Sequence, residues 1–231
     1  GLLSAMTFAQ EQALEQAAND PTASLMNVQV ADWYTADYHN LSGEEANSVV
    51  LRSAVPFTLA EQNHIFRVTA PYVTDSPSGS SGIADMTVFD LVTFDQDWGR
   101  WGVGAVGLLP TGGEKRGAEN WGLGPAFGFV SQFPGMLLGV FNQNIFSLDA
   151  EQGREDVNVS VLQPIFNKSL GNGWAIGTSE MSVTYDWENN RWASLPLGLK
   201  IVKLVRFGEA PVQISGEYEY NLEDSRVVPE N

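Results

Sequence analysis

The chain has 231 residues, 43% of them hydrophobic and 11% aromatic, with 23 glycines and no cysteine. This is enough for one large domain or two small ones, and the lack of cysteine excludes a disulfide framework, thiolate chemistry or a cysteine-based zinc site. Twelve basic against 28 acidic residues give a formal charge of −16, which argues against nucleic acid, because phosphate binding needs a basic face.

Residues 1–20 read as a short helical or plug-like segment. They are rich in Ala, Leu, Gln and Glu and stop at Asn19-Asp20-Pro21, a helix-ending signal. Leu2 to Ala9 also looks like the end of a secretory signal, with small residues Thr7 and Ala9, although no basic region precedes it. Residues 21–231 form the second unit. From residue 24 onward the period is two, and eleven segments alternate: 24–37, 46–57, 62–73, 83–95, 99–111, 120–131, 135–147, 156–168, 173–187, 191–206 and 211–222. Around 49–57 the apolar face is Val49, Leu51, Val55 and Phe57, with Arg52 opposite. Around 64–72 it is Phe66, Val68, Ala70 and Tyr72, with Arg67 opposite. Ala175 to Trp187 predicts one two-faced strand, odd positions apolar and ending in Tyr185 and Trp187, even positions polar and including Glu180 and Asp186. In 212–221, Val212, Ile214, Tyr218 and Tyr220 oppose Gln213, Ser215, Glu217 and Glu219.

Most segments reach the roughly 9–11 residues of a tilted membrane-spanning strand, and no apolar run approaches the ~18 of a membrane helix. Connections alternate in kind. ADYHNLSGEE, TDSPSGSSG, TGGEKRGAEN and LDAEQGRED are polar and long, whereas TLAEQ, DQDW, SQFPG, KSLGNG and FGEAP are tight; ENNR is the short exception on the long side. Aromatic residues gather at segment ends, among them Trp33, Trp98, Trp101, Trp121, Trp174, Trp187 and Trp192. Long loops at one end, short turns at the other and two aromatic girdles describe an antiparallel outer-membrane β-barrel.

The candidates for chemistry are few. RWGVGAVGLLPTGGEKRGAENWGLGPAFGF, residues 100–129, repeats a Trp-Gly phrase but puts Glu114 where a phosphate-binding loop needs lysine, and no helix follows. It reads as a hairpin and its loop. His64 shares the parity of Phe66, His39 lies in a loop, and neither shows a catalytic partner, so no enzyme activity and no cofactor are expected. Asp149, Glu151, Glu155 and Asp156 lack calcium-loop spacing and suit a solvated outer rim. No metal site is expected. Arg52, Arg67, Lys200, Lys203, Glu180, Glu217 and Glu219 are the pore-lining candidates, a charged constriction of the kind that sets selectivity. Lys200 and Lys203 have opposite parity, so a bulge between them would be needed for both to face inward, and a lysine snorkelling near the interface is the alternative. Pro56, Pro71, Pro110, Pro125, Pro164 and Pro196 fall inside or at the ends of segments, where each removes a ladder donor and kinks the wall; 56, 71, 164 and 196 carry lumen-side parity.

Gly82-Ile83-Ala84-Asp85, Trp101-Gly102-Val103-Gly104 with Leu108-Leu109-Pro110-Thr111, Trp121-Gly122-Leu123-Gly124-Pro125, Val157-Asn158-Val159 with Leu162-Gln163-Pro164, and Thr184-Tyr185-Asp186-Trp187 occur in that order. Together they resemble the outer-membrane channel family of the MetA-pathway-of-phenol-degradation type, over about residues 21–222. The resemblance implies a Gram-negative outer-membrane barrel of about twelve strands, linked to uptake of small, often aromatic or apolar growth substrates, with no catalytic residues to carry over. Eleven segments are visible, bacterial barrels usually hold an even number, and the tail after Tyr220 reads as an external loop, so a closing strand is expected beyond these residues. The expected protein is a monomeric passive channel in contact with outer-membrane lipid, lipopolysaccharide and a small-molecule solute. The competing reading is a soluble secreted β-sandwich that binds carbohydrate on exposed tryptophans.

Overall fold

Side-chain alternation becomes a hydrogen-bonded wall in the computed structural model, which describes residue 14 and residues 16–113, 115–148, 156–208, 210–225 and 228–229. Leu14 and residues 16–18 are helical, and the rest is built from strands. In chain order these are β1 (Asn27–Thr35), β2 (Tyr38–His39), β3 (Ala46–Leu59), β4 (Gln62–Asp75), β5 (Gly82–Ile83), β6 (Met86–Gln96), β7 (Gly99–Leu109) and β8 (Gly122–Phe133). They continue as β9 (Met136–Ser147), β10 (Asn158–Gly171), β11 (Trp174–Thr178), β12 (Val183–Asp186), β13 (Arg191–Ser194), β14 (Pro196–Phe207), β15 (Ala210–Asn221) and β16 (Val228–Pro229).

The main sheet runs β1-β3-β4-β6-β7-β8-β9-β10-β11-β14-β15, antiparallel throughout; β5 pairs with β4, β12 with β10 and β13, and β16 with β2 apart from the rest. Long strands that follow one another in the chain are neighbours in space. At one end they join through two-residue connections: 60–61, 97–98, 134–135, 172–173 and 208–209. Ala60 and Glu61 have φ of 49° and 63°, and Asn172 and Gly173 have 52° and 74°, the left-handed pairs that match the twist of a tight hairpin. At the other end the connections span 36–45, 76–85, 110–121 and 148–157, with 187–190 short.

The sheet is not closed. β1 and β15 each pair on one side only, and because direction alternates over eleven positions these two edges run the same way. They are nonetheless drawn together. At the long-loop end His39 Nε2 is 2.8 Å from the Asn221 carbonyl oxygen, and Asn40 Nδ2 donates to the Asp224 carbonyl at 2.7 Å. At the tight-turn end Asn19 Nδ2 donates to Gln213 Oε1 at 3.4 Å. Side chains from distant strands also meet on the concave face, where the Phe89 and Phe141 rings lie 5.1 Å apart.

The two faces differ sharply. Ala54, Ile65, Phe89, Leu91, Val106, Ala126, Phe141 and Ile145 form one buried cluster on the concave face. On the convex face Leu51, Phe66, Leu123, Phe127, Leu138, Phe146, Leu199, Ile201 and Tyr218 are exposed. Stacked Phe94 and Trp101 mark the tight-turn end of that face, and Tyr185 with Trp187 and Trp192 the long-loop end.

Four expectations need correction. Residues 173–187 are not one strand: β11 and β12 are separated by 179–182, and alternation changes phase there. Ala175 and Met181 are buried, while Tyr185 lies in register with Ser160 and beside exposed Trp187. A one-residue slip turns every following side chain to the other face, so the apparent single apolar stripe belongs to both faces in turn. The segment 191–206 likewise divides into β13 and β14. There is also no bulge between Lys200 and Lys203, because β14 and β15 keep one register from Pro196↔Asn221 to Phe207↔Ala210. With Val202 buried on the concave side, Lys203 faces outward. Finally, Pro164 is convex, in register with Val140 and on the parity of exposed Leu162, not lumen-side.

Candidate functional site

The charged side chains picked out by parity converge on the concave face near the two unpaired edges. Arg52 stands on β3 next to the β1 edge, with Gln29 across from it. Its Nη1 donates to Gln29 Oε1 at 3.3 Å and forms an ion pair and hydrogen bond with Glu180 Oε1. Glu180 comes from the break between β11 and β12, so the interruption in the strand is what delivers this carboxylate. Gln163 Nε2 secures it, donating to the Glu180 carbonyl at 3.0 Å. The pair is shielded, with side chains only 8% and 21% exposed. Taking either charge away alone would strand the other in a poorly solvated place.

Arg67 is one strand further round, between Ala54 on β3 and Phe89 on β6. Its guanidinium carbon lies 5.7 Å from the Phe89 ring centre. Lys200 is in register with Glu217 across β14 and β15, on the same face as Glu219. Glu217 is exposed and Glu219 half-buried, consistent with their place on the edge strand. Six of the seven pore-lining candidates therefore share one region. Lys203 does not: its Nζ reaches back to the turn, donating to the Asn172 carbonyl at 2.6 Å and lying 4.9 Å from the Trp174 ring centre. A long apolar stem with its ammonium carried to the turn is snorkelling.

The prolines mark places where a strand loses or changes its neighbour. Pro56 lies beyond the last β1–β3 pair, Ala54↔Asn27. Pro71 lies between the end of β4–β6 pairing at Thr69 and its pairing with β5 at Tyr72. Pro164 lies where β10 passes from β12 to β11, and the Thr178 hydroxyl donates to its carbonyl at 3.1 Å. Pro125 falls where the β8–β9 ladder skips from Leu123 to Ala126. Pro110 follows the end of β7, and Pro196 opens β14.

Two features escaped the sequence reading. Asn19 to Ala23 lies against the concave face at the tight-turn end, with Asp20, Thr22 and Ala23 buried. Asp20 Oδ1 accepts from the Thr22 backbone N–H at 2.7 Å and from its hydroxyl at 2.6 Å. Arg100 on β7 donates to the Thr22 carbonyl at 3.1 Å, while Asn19 holds Gln213 on β15. Gly128 makes room, since a Cβ there would lie 3.3 Å from Thr22 Cγ2. Burial pushes the Asp20 carboxyl above its ordinary value, against the Thr22 donors and the Arg100 charge. The Asp-x-Thr spacing was the available signal for this local turn.

The second is a partner for His64, which had seemed to have none. Its Nδ1 is 2.9 Å from Asp90 Oδ2, and its ring stacks on Phe57 on the convex face. Residues 86–94 are apolar on both parities, so the side taken by Asp90 was not legible. Among the described residues no group of three His, Asp or Glu side chains is placed to hold a metal ion. Of the acidic loop, Asp149, Glu151 and Glu155 lie outside the described residues, and Asp156 is exposed. Comparison with protein-family models, curated proteins and solved structures finds no match to this chain.

Proposed function

We propose that this chain is the wall of a passive channel in a Gram-negative outer membrane, monomeric, and surrounded by outer-membrane lipid and lipopolysaccharide. The observation that carries the reading is the inverted distribution of side chains. Large apolar residues are exposed along the convex face, while Arg52, Arg67, Lys200 and Glu180 occupy the concave one. In water this arrangement leaves a large apolar area uncovered; in a bilayer the same area is matched by lipid. Tight turns at one end, longer loops at the other and aromatic groups near both ends support it. The resemblance to the phenol-degradation channel family supplies the solute class, small and often aromatic or apolar molecules. A complete barrel of about twelve strands needs one strand running opposite to β1 and β15, antiparallel to both.

Purification and conductance test this. The protein should require detergent, migrate differently on gels when boiled, and pass current in planar bilayers. Arg67→Glu should shift the cation-to-anion preference of that current. A chain that is monodisperse without detergent would favour the soluble carbohydrate-binding sandwich and sink the channel reading.

A further inference from the structure

We propose that Asn19–Ala23 is a removable strap that closes the lumen at the tight-turn end, latched by Arg100. The lumen itself rests on the channel reading; the strap adds how one of its mouths is shut. Three observations carry it.

The first is where the segment runs. Thr22 lies against Gly128 on β8 and its carbonyl accepts from Arg100 on β7, while Asn19 meets Gln213 on β15. In the main sheet β8 is sixth and β15 eleventh, five strand spacings apart, or about 24 Å along the wall. Asn19 and Thr22 are three residues apart and span at most about 10 Å. From Thr22 the chain reaches Asn27, where β1 begins, in five residues, at most about 17 Å. Yet β1 is first in the sheet and again five spacings from β8. A path that joins such distant points so briefly crosses the opening instead of following the wall, and it does so twice.

The second is what holds the segment in place. Asn19, Asp20, Pro21, Thr22 and Ala23 include no large apolar side chain. The ties to the wall are polar: Arg100 Nη1 donates to the Thr22 carbonyl at 3.1 Å and lies 3.6 Å from Asp20 Oδ2, and Asn19 Nδ2 donates to Gln213 at 3.4 Å. A permanent plug would be sealed by buried apolar side chains, each contributing more than a hydrogen bond of this kind. A few polar ties suit a closure that comes away.

The third is what release leaves behind. Arg100 Nε also donates to Asp95 Oδ1 at 2.6 Å, and Asp95 is exposed, so the guanidinium keeps a carboxylate partner at the turn when the strap leaves. The Asp20 side chain is fully covered in the seated strap and would pass into water, where a carboxylate is well solvated. Neither charge is stranded, so the wall is as sound with the strap out as with it in.

The chain has no cysteine, so Thr22→Cys/Gly128→Cys introduces the only disulfide. A Cβ on Gly128 would lie 3.3 Å from Thr22 Cγ2 and 3.0 Å from Phe141 Cδ2, within disulfide reach after a small shift of the Phe141 ring. In planar bilayers the oxidised double variant should hold its low-conductance state, and dithiothreitol should raise its mean current several-fold while leaving the parent unchanged. Arg100→Gln should raise the ratio of open to closed time about tenfold, as expected for the loss of a charge-assisted hydrogen bond. In nanodiscs Thr22→Cys alone should react slowly with a water-soluble maleimide, and about tenfold faster when combined with Arg100→Gln. Boiled and unboiled gel mobility confirms that each variant folds. Currents indifferent to the disulfide and to Arg100→Gln would overturn the strap and leave the channel. Labelling that Arg100→Gln does not change would also overturn it. No current from any variant, with labelling still dependent on Arg100, would refute the channel while the latch stands.

Discussion

The concave face is two surfaces in one molecule. Along β6 to β9 it is a packed apolar wall of Phe89, Leu91, Val106, Ala126, Phe141 and Ile145. Towards β3 on one edge and β14 and β15 on the other it carries Arg52, Lys200, Glu217 and Glu219, with Glu180 from the break after β11. The apolar half is drawn from one continuous stretch of the chain, although Phe89 on β6 also meets Phe141 on β9 across the concave face. The charged half is held by side chains from opposite ends of the chain, since Arg52 and Glu180 are 128 residues apart. A wall whose only task was stability would be apolar all round, because replacing a buried ion pair with well-packed apolar groups often costs nothing. Keeping the charges on one side points to a task for that side.

Breaking each half separately tests the comparison. The largest effect is expected from Arg52→Leu, which removes the ion-pair partner of Glu180 and leaves it only the more distant charges of Arg67 and Lys200; it should lower unfolding stability by about 4 kcal/mol, read by denaturant titration in detergent. The double variant Arg52→Leu/Glu180→Leu should recover to within about 1 kcal/mol of the parent, and a double variant as unstable as the single would show that the charge is not the cause. In the apolar half, Leu91→Ala should cost about 3 kcal/mol while leaving ion selectivity unchanged. A selectivity change there would blur the division.

A smaller effect is expected at Asp20. Its folded carboxyl holds its proton more tightly than the ordinary value of 3.8. The contribution from this group is therefore full below about pH 3.8 and falls as pH rises through the folded value. Asp20→Asn should flatten that part of the stability profile, and an unchanged slope would show that the carboxyl titrates normally. Smallest of all, Lys203→Gln should alter stability by about 0.5 kcal/mol or less and leave selectivity untouched, because its ammonium lies at the turn outside the charged region.

Much of the wall was legible because alternation of period two and turn chemistry are local properties. The eleven alternating segments correspond to the eleven positions of the main sheet, and Asn172-Gly173 marks its turn outright. What failed were questions of phase. Between Ala175 and Trp187 the side facing inward changes across four residues that carry no glycine or proline, so the sequence contains no punctuation there. Met86 to Phe94 is apolar on both parities, which hid the side taken by Asp90. Lys203 was placed inward by treating charge as a sufficient reason, when a lysine near a turn can carry its ammonium out along the wall. The Asp-x-Thr spacing marks the turn at Asp20, but the seating of Asn19–Ala23 on the concave face depends on Arg100, Gly128 and Gln213, all distant in the chain.

The order of strands also has a consequence for how the protein assembles. Apart from its two edges, every long strand lies beside the strand that precedes or follows it, so most of the ladder can form by short loop closures, one hairpin after another. The contacts that bring the edges together are of another kind: Arg52 must find Glu180, and His39 must find Asn221 across 182 residues. Those encounters carry the largest entropy cost and return little until most of the sheet exists. Curling should therefore come last, and the charged region should be the latest part of the molecule to take shape.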